Sequence, residues 1–202
     1  IENNLLDINI NFIIDSIKPK ISSTKTLSKK YTNGNDFYIK YTEENCQTLS
    51  VFLNGQEILS NSCESDKDIE RVIPLNISSY NGQEIEYKFK ITDIANNTGE
   101  SKPTRVKVDT TPPEIKDLKY PIVGKYVYFN MTILHEDKNS FDVVEYIDNS
   151  DSNPRWRSLC TSLKNNNCYK KLSFRVGSHD ITIKTTDEAG NSDTEIINVN
   201  II

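Results

Sequence analysis

Two separated stretches of this chain recur at one offset, and that recurrence limits the fold more than any other feature. Ile14-Asp15-Ser16-Ile17-Lys18-Pro19-Lys20-Ile21 matches Val108-Asp109-Thr110-Thr111-Pro112-Pro113-Glu114-Ile115, a shift of 94 residues. The same shift carries Thr92-Asp93-Ile94-Ala95-Asn96-Asn97 onto Thr186-Asp187-Glu188-Ala189-Gly190-Asn191. Separate segments sharing one offset imply two homologous units, 17–109 and 110–202, each near the size of one β-sandwich domain. Residues 1–16 precede them as an N-terminal strand.

The joint at Val108–Ile115 suits that division. Val106 and Val108 finish a strand, and Pro112-Pro113 then hold the backbone extended while supplying no amide hydrogens, so neither a ladder nor a helix runs through. Within the units the strand signals are strong. Phe37–Tyr41, Ile85–Ile91, Tyr126–Ile133 and Ile181–Lys184 carry β-branched and aromatic residues, with clear alternation in the second and fourth. Leu49–Leu53 running into Asn54-Gly55 reads as a strand entering a hairpin. No 3.6-residue apolar period lasts three turns, so the expected class is all-β, two tandem sandwiches with one extra N-terminal strand.

Only 36% of the 202 residues are apolar, a thin core, yet ten Tyr and seven Phe argue against disorder. Sandwiches tolerate this, because every second strand residue faces water. The formal charge of -5 disfavours a nucleic-acid partner, and no apolar run is long enough for a membrane span. Four cysteines fall as two close pairs, Cys46 with Cys63 and Cys160 with Cys168. Of the three possible connectivities the clustering favours the two local bridges, and zinc is the alternative, though CxxC spacing is absent. Disulfides imply an oxidising compartment outside the cytosol.

The order strand, T-D-x-A-G-N hairpin, final strand, V-D-T-x-P-P-x-I resembles the tandem immunoglobulin-like or cadherin-like domains of archaeal and bacterial cell-surface proteins. The match covers both units and departs at Asn96, which stands where the usual glycine sits. The resemblance implies an extracellular structural or interaction role: a subunit or segment of an S-layer-like lattice or pilus-like filament, partnered by copies of itself or other surface proteins. A glycan-binding or adhesin module, or a passive spacer of a longer secreted protein, is the alternative.

Leu6, Ile8, Ile10, Phe12 and Ile14 alternate with polar residues and mark the assembly strand. It is read as the last strand of a preceding repeat, as a donor strand completing a neighbour's sheet, or as a strand folded back on its own unit. Sequons at Asn76, Asn96 and Asn130 are candidate glycosylation sites. No cofactor is expected; calcium is the one candidate, at Asp93 or Asp187 beside Asp15 or Asp109, or in the loop holding Asp148 and Asp151. The bland reading of Asp93 and Asp187 is a side-chain bond to the hairpin backbone.

Trp156, between Arg155 and Arg157, is the only tryptophan. It is expected to pack in or near the core beside a disulfide; exposed, it would stack on a sugar ring. No nucleophile elbow, phosphate loop or H-E-x-x-H motif occurs, and His135 beside Glu136 and Asp137 reads as a solvated edge, so no enzyme is expected.

Overall fold

The computed structural model describes residues 14–135 and 140–202. The strands lie where β-branched and aromatic residues alternate with polar ones. They are β1 (Lys20–Lys25), β2 (Tyr31–Thr32), β3 (Phe37–Glu43), β4 (Cys46–Leu53), β5 (Gln56–Ser62), β6 (Asp66–Ile73), β7 (Glu84–Asp93), β8 (Thr98–Glu100) and β9 (Thr104–Val108). After the joint follow β10 (Glu114–Lys119), β11 (Ile122–Val123), β12 (Tyr126–Leu134), β13 (Phe141–Asp148), β14 (Arg157–Cys160), β15 (Asn167–Ser173), β16 (Gly177–Asp187) and β17 (Ser192–Ile201).

Among the described residues, no sheet mixes strands from the two sides of the joint. Before it, one sheet runs β1-β3-β6 and another β2-β9-β7-β4-β5, with β8 on β7. After it, one sheet runs β10-β12-β11, with β15 on β12, and another β14-β13-β16-β17. The two halves therefore share one plan: a sheet in which β3 or β12 is flanked by the first strand of its half, and a second sheet pairing β4 with β7 or β13 with β16. Grouping by compactness cuts the chain differently, placing Tyr38–Arg71 and Glu86–Thr104 in one unit and Lys25–Phe37, Val72–Ile85 and Arg105–Ile202 in the other. The boundaries 17–109 and 110–202 rest on the sequence repeat.

Alternation decides which side chains are buried. On β7, Ile85, Tyr87, Phe89, Ile91 and Asp93 point inward while the residues between them meet solvent. In the second repeat Val127, Phe129, Met131 and Ile133 of β12 face Val144 and Tyr146 of β13 and Ile181 and Ile183 of β16 in one core. Phe129 lies 6.4 Å from Tyr146 and 6.3 Å from Phe174, ring centre to ring centre. The pattern also turns a hydroxyl inward on β16. Thr185 of β16 is fully buried and its hydroxyl has no partner among the described residues. Thr185→Val keeps the shape and removes the unmet group, so it should stabilise the protein by about 1 kcal/mol in urea denaturation; an unchanged or lower midpoint would refute this.

Both local disulfides are present, Cys46–Cys63 and Cys160–Cys168. They are not equivalent. The first ties the start of β4 to the residue after β5, at the open end of a hairpin already paired from Thr48 with Ser62. The second joins β14 to β15, strands of two different sheets, and buries Cys168 completely.

Candidate functional site

The T-D-x-A-x-N motif builds the same network twice. In the β7–β8 turn, Asp93 Oδ1 accepts from the amides of Ala95 (2.8 Å) and Asn97 (2.8 Å), and its Oδ2 accepts from Asn97 Nδ2 (2.8 Å). That amide nitrogen also donates to the carbonyl of Asp15, 82 residues earlier, at 2.8 Å. In the β16–β17 turn, Asp187 takes the amides of Ala189 (2.9 Å) and Asn191 (2.9 Å) and Asn191 Nδ2 (2.9 Å). Asn191 Nδ2 in turn holds the carbonyl of Asp109 at 2.8 Å. Asn96 adopts φ 65° and Gly190 φ 87°, the left-handed backbone the turn demands, and Asn tolerates it at modest cost. The repeated motif is thus a clamp that fastens the segment entering each repeat to the last hairpin of that repeat.

Charge gathers at the first clamp. Asp15, Glu43 and Asp93 bring carboxylate oxygens within 4.8 Å of one another, with Glu43 and Asp93 buried. Each carboxylate already meets donors of its own chain: Asp15 the Ile17 amide (2.9 Å) and Asn45 Nδ2 (3.1 Å), Glu43 the Asn45 amide (2.8 Å). The Ile17 and Asn45 bonds hold Asp15 below the ordinary carboxylate pKa. In the second clamp, burial pushes Asp187 above it, with the Asp109 charge adding and the bonds from Asn191 opposing. Glu43 was missed from sequence. The signal that finds it is the offset of 94, which takes Glu43 onto Asp137, an acid in each repeat.

Asp148 and Asp151, the loop candidates for a cation, are held by cations of the chain itself. His179 Nδ1 lies 2.6 Å from Asp148 Oδ2, and Arg157 donates to Asp151 at 2.9 Å. His179 Nε2 lies 2.9 Å from the Arg175 carbonyl. Carboxylate and carbonyl only accept, so both ring nitrogens must donate and the imidazolium is the form that satisfies the site. Burial works against the charged ring, but the Arg175 carbonyl, Asp148 and Asp151 outweigh it and lift the pKa above 6.5. The stabilisation from this site is therefore complete below 6.5 and lost as pH rises through the elevated value. Denaturation midpoints should fall as pH rises from below 6.5 through the elevated value, and His179→Gln should flatten that slope. A slope that survives the substitution would assign it elsewhere.

Trp156 departs from expectation. It is 41% exposed, with the Lys184 ammonium 4.4 Å from its ring centre. Leu159, Leu163 and Leu172 belong with Cys160 and Cys168 to the core of the second half, and Trp156 is not among the described residues of that core. Arg155 is exposed beside it. The sequon residues Asn76, Asn96 and Asn130 are all exposed, Asn130 facing out between buried Phe129 and Met131. The His135 ring lies tilted 6.3 Å from that of Phe141; Glu136 and Asp137 lie outside the described residues. So do Leu6, Ile8, Ile10 and Phe12 of the assembly strand, while Ile14 is 93% exposed.

No known protein family and no curated protein matches this chain. Solved structures do. The fibronectin(III)-like modules of Clostridium thermocellum CbhA align over 91% of this chain and 93% of theirs, with a TM-score of 0.52 and 14% identity. The FN1-FN3 domains of chicken CNTN1 align over 90% of this chain and 66% of theirs, with a TM-score of 0.57 and 11% identity. At such identities the likeness concerns architecture. The chain is all-β, with the tandem immunoglobulin-like and fibronectin(III)-like sandwich fold.

Proposed function

We propose that this chain is a structural and interaction module of an extracellular surface assembly. The observation that carries the reading is that all four cysteines are joined as disulfides within the two halves, a chemistry that persists in oxidising compartments. The duplicated clamp supports it, because its polar groups are spent on holding the chain together. Copies of the chain, or other surface proteins, are the partners, and residues 1–16 are the linking strand of an S-layer-like lattice or pilus-like filament. Glycans at Asn76, Asn96 and Asn130 belong to the same proposal, as does calcium at Asp15, Glu43 and Asp93. The 41% exposure of Trp156 favours glycan binding as a second reading.

Light scattering after size exclusion tests the assembly. Oligomers beyond 23.1 kDa that lose their order when residues 1–16 are deleted are expected. A monomer at all concentrations, with or without chelator, would overturn the assembly reading and leave the binding module. Mass spectrometry of the same native protein reads the glycans, and the chelator arm reads calcium.

A further inference from the structure

A cavity of about 500 Å³ opens in the second repeat, between the turn after β13 and the connection from β15 to β16. Its volume lies in the range of small-ligand sites. We propose that it binds an acidic sugar, with the carboxylate on Arg175 and ring hydroxyls on Ser173 and Ser178. The inference holds whether or not the chain assembles into larger structures.

The walls are fixed before any ligand arrives. His179 bridges them, one nitrogen on Asp148 of the first and the other on the Arg175 carbonyl of the second. The Asn149 amide donates to the Asp180 carbonyl at 2.7 Å, and the Asp180 amide to Ser150 Oγ at 2.9 Å, so the turn is laced to β16. A site held this way loses little freedom on binding.

Charge accounting points to the ligand. Asp148 is matched by His179 and Asp151 by Arg157. Among the described residues the Arg175 guanidinium forms no ion pair, so it is the uncompensated cation of the lining. A guanidinium offers a planar fork that suits a carboxylate. The hydroxyls of Ser173 and Ser178, also in the lining, have no partner among the described residues and can give or take a bond with a sugar hydroxyl. Phe174 supplies an apolar patch, its ring held edge-on to His179 at 5.0 Å, against which the C–H face of a sugar ring can lie. A bare anion would use Arg175 and leave the hydroxyls and the patch unused. A neutral sugar would leave Arg175 unmatched.

The test is an amide-resolved NMR titration of the whole chain with methyl β-D-glucuronide, methyl β-D-glucoside and acetate. Saturable shifts around Ser173–Asp180 with the glucuronide alone are expected. Arg175→Ala should weaken binding by about tenfold or more, Arg175→Lys by less because charge survives without the fork, and Ser178→Ala by a few-fold. Arg175 is exposed, so its variants should keep the dispersed spectrum of the parent. No saturation by glucuronide up to roughly 20 mM would overturn the proposal. Equal binding of acetate, equal binding of the glucoside, or an Arg175→Ala variant that binds as the parent does, would each overturn it too.

Discussion

Asp187→Ala should cost the protein roughly 3–5 kcal/mol. The carboxylate is 3% exposed and takes three hydrogen bonds, two from backbone amides and one from Asn191. Alanine leaves the two backbone amides without an acceptor and Asn191 Nδ2 with only the Asp109 carbonyl, in a turn where Ala189 is itself buried. Each stranded donor costs about 1–3 kcal/mol, and partial relaxation keeps the total below the sum. The loss also frees Asn191, whose bond to the Asp109 carbonyl fastens the segment entering the repeat. Asp187→Asn should recover only part of the loss, because its amide nitrogen would face the Asn191 amide nitrogen where an acceptor is required. Burial raises the Asp187 pKa above 3.8, so its titration favours the fold most below 3.8, and that benefit fades as pH climbs through the raised value. The variant should lack that acid-side gain. Urea denaturation of both variants at neutral and acid pH measures this, and a neutral-pH loss under about 1 kcal/mol would remove the clamp from the stability argument.

Breaking both disulfides should cost about 5.5 kcal/mol in total, comparable with the whole stability of many small domains. The Cys46–Cys63 bridge spans 17 residues and Cys160–Cys168 spans 8. Loop closure alone gives about 3 and about 2.5 kcal/mol for them. The shorter loop should nonetheless give the larger loss when each pair is replaced by alanine. Cys168 is fully buried among core residues, and removing its sulfur leaves a void, while Cys46 and Cys63 sit at the margin of a hairpin. Melting curves of the two double-alanine variants separate these contributions. Drops on the order of 10–20 °C are expected for the half affected. A larger drop from the Cys46–Cys63 pair would mean that loop length outweighs core packing.

Much of the architecture was legible in the residues. Alternation at Ile85–Ile91 located β7 and its inward face, and the Cys pairs were close enough to suggest their partners. The offset of 94 exposed the duplication, including both copies of the clamp motif. The motif's purpose was not legible. Asn97 reads as a turn residue until its side chain is seen on the Asp15 carbonyl. Trp156 reads as a core residue until its ring is seen 41% exposed, outside the core that holds Cys160 and Cys168.

The sequence by itself determined the all-β class and the local disulfides, and its offset of 94 is what the reading of two units rests on. Each is a statement about period, recurrence or short separation, and such properties belong to a chain before it folds. Only the tertiary structure decided that His179 meets Asp148 from 31 residues away, that Arg175 is left uncompensated, and that one asparagine in each repeat holds a carbonyl 82 residues upstream. Side-chain period reports which face of a strand a residue takes. Which distant residue it meets there depends on strand register, and bulges between Val144 and Glu145 and between Phe141 and Val143 shift that register along the very strand that ends at Asp148.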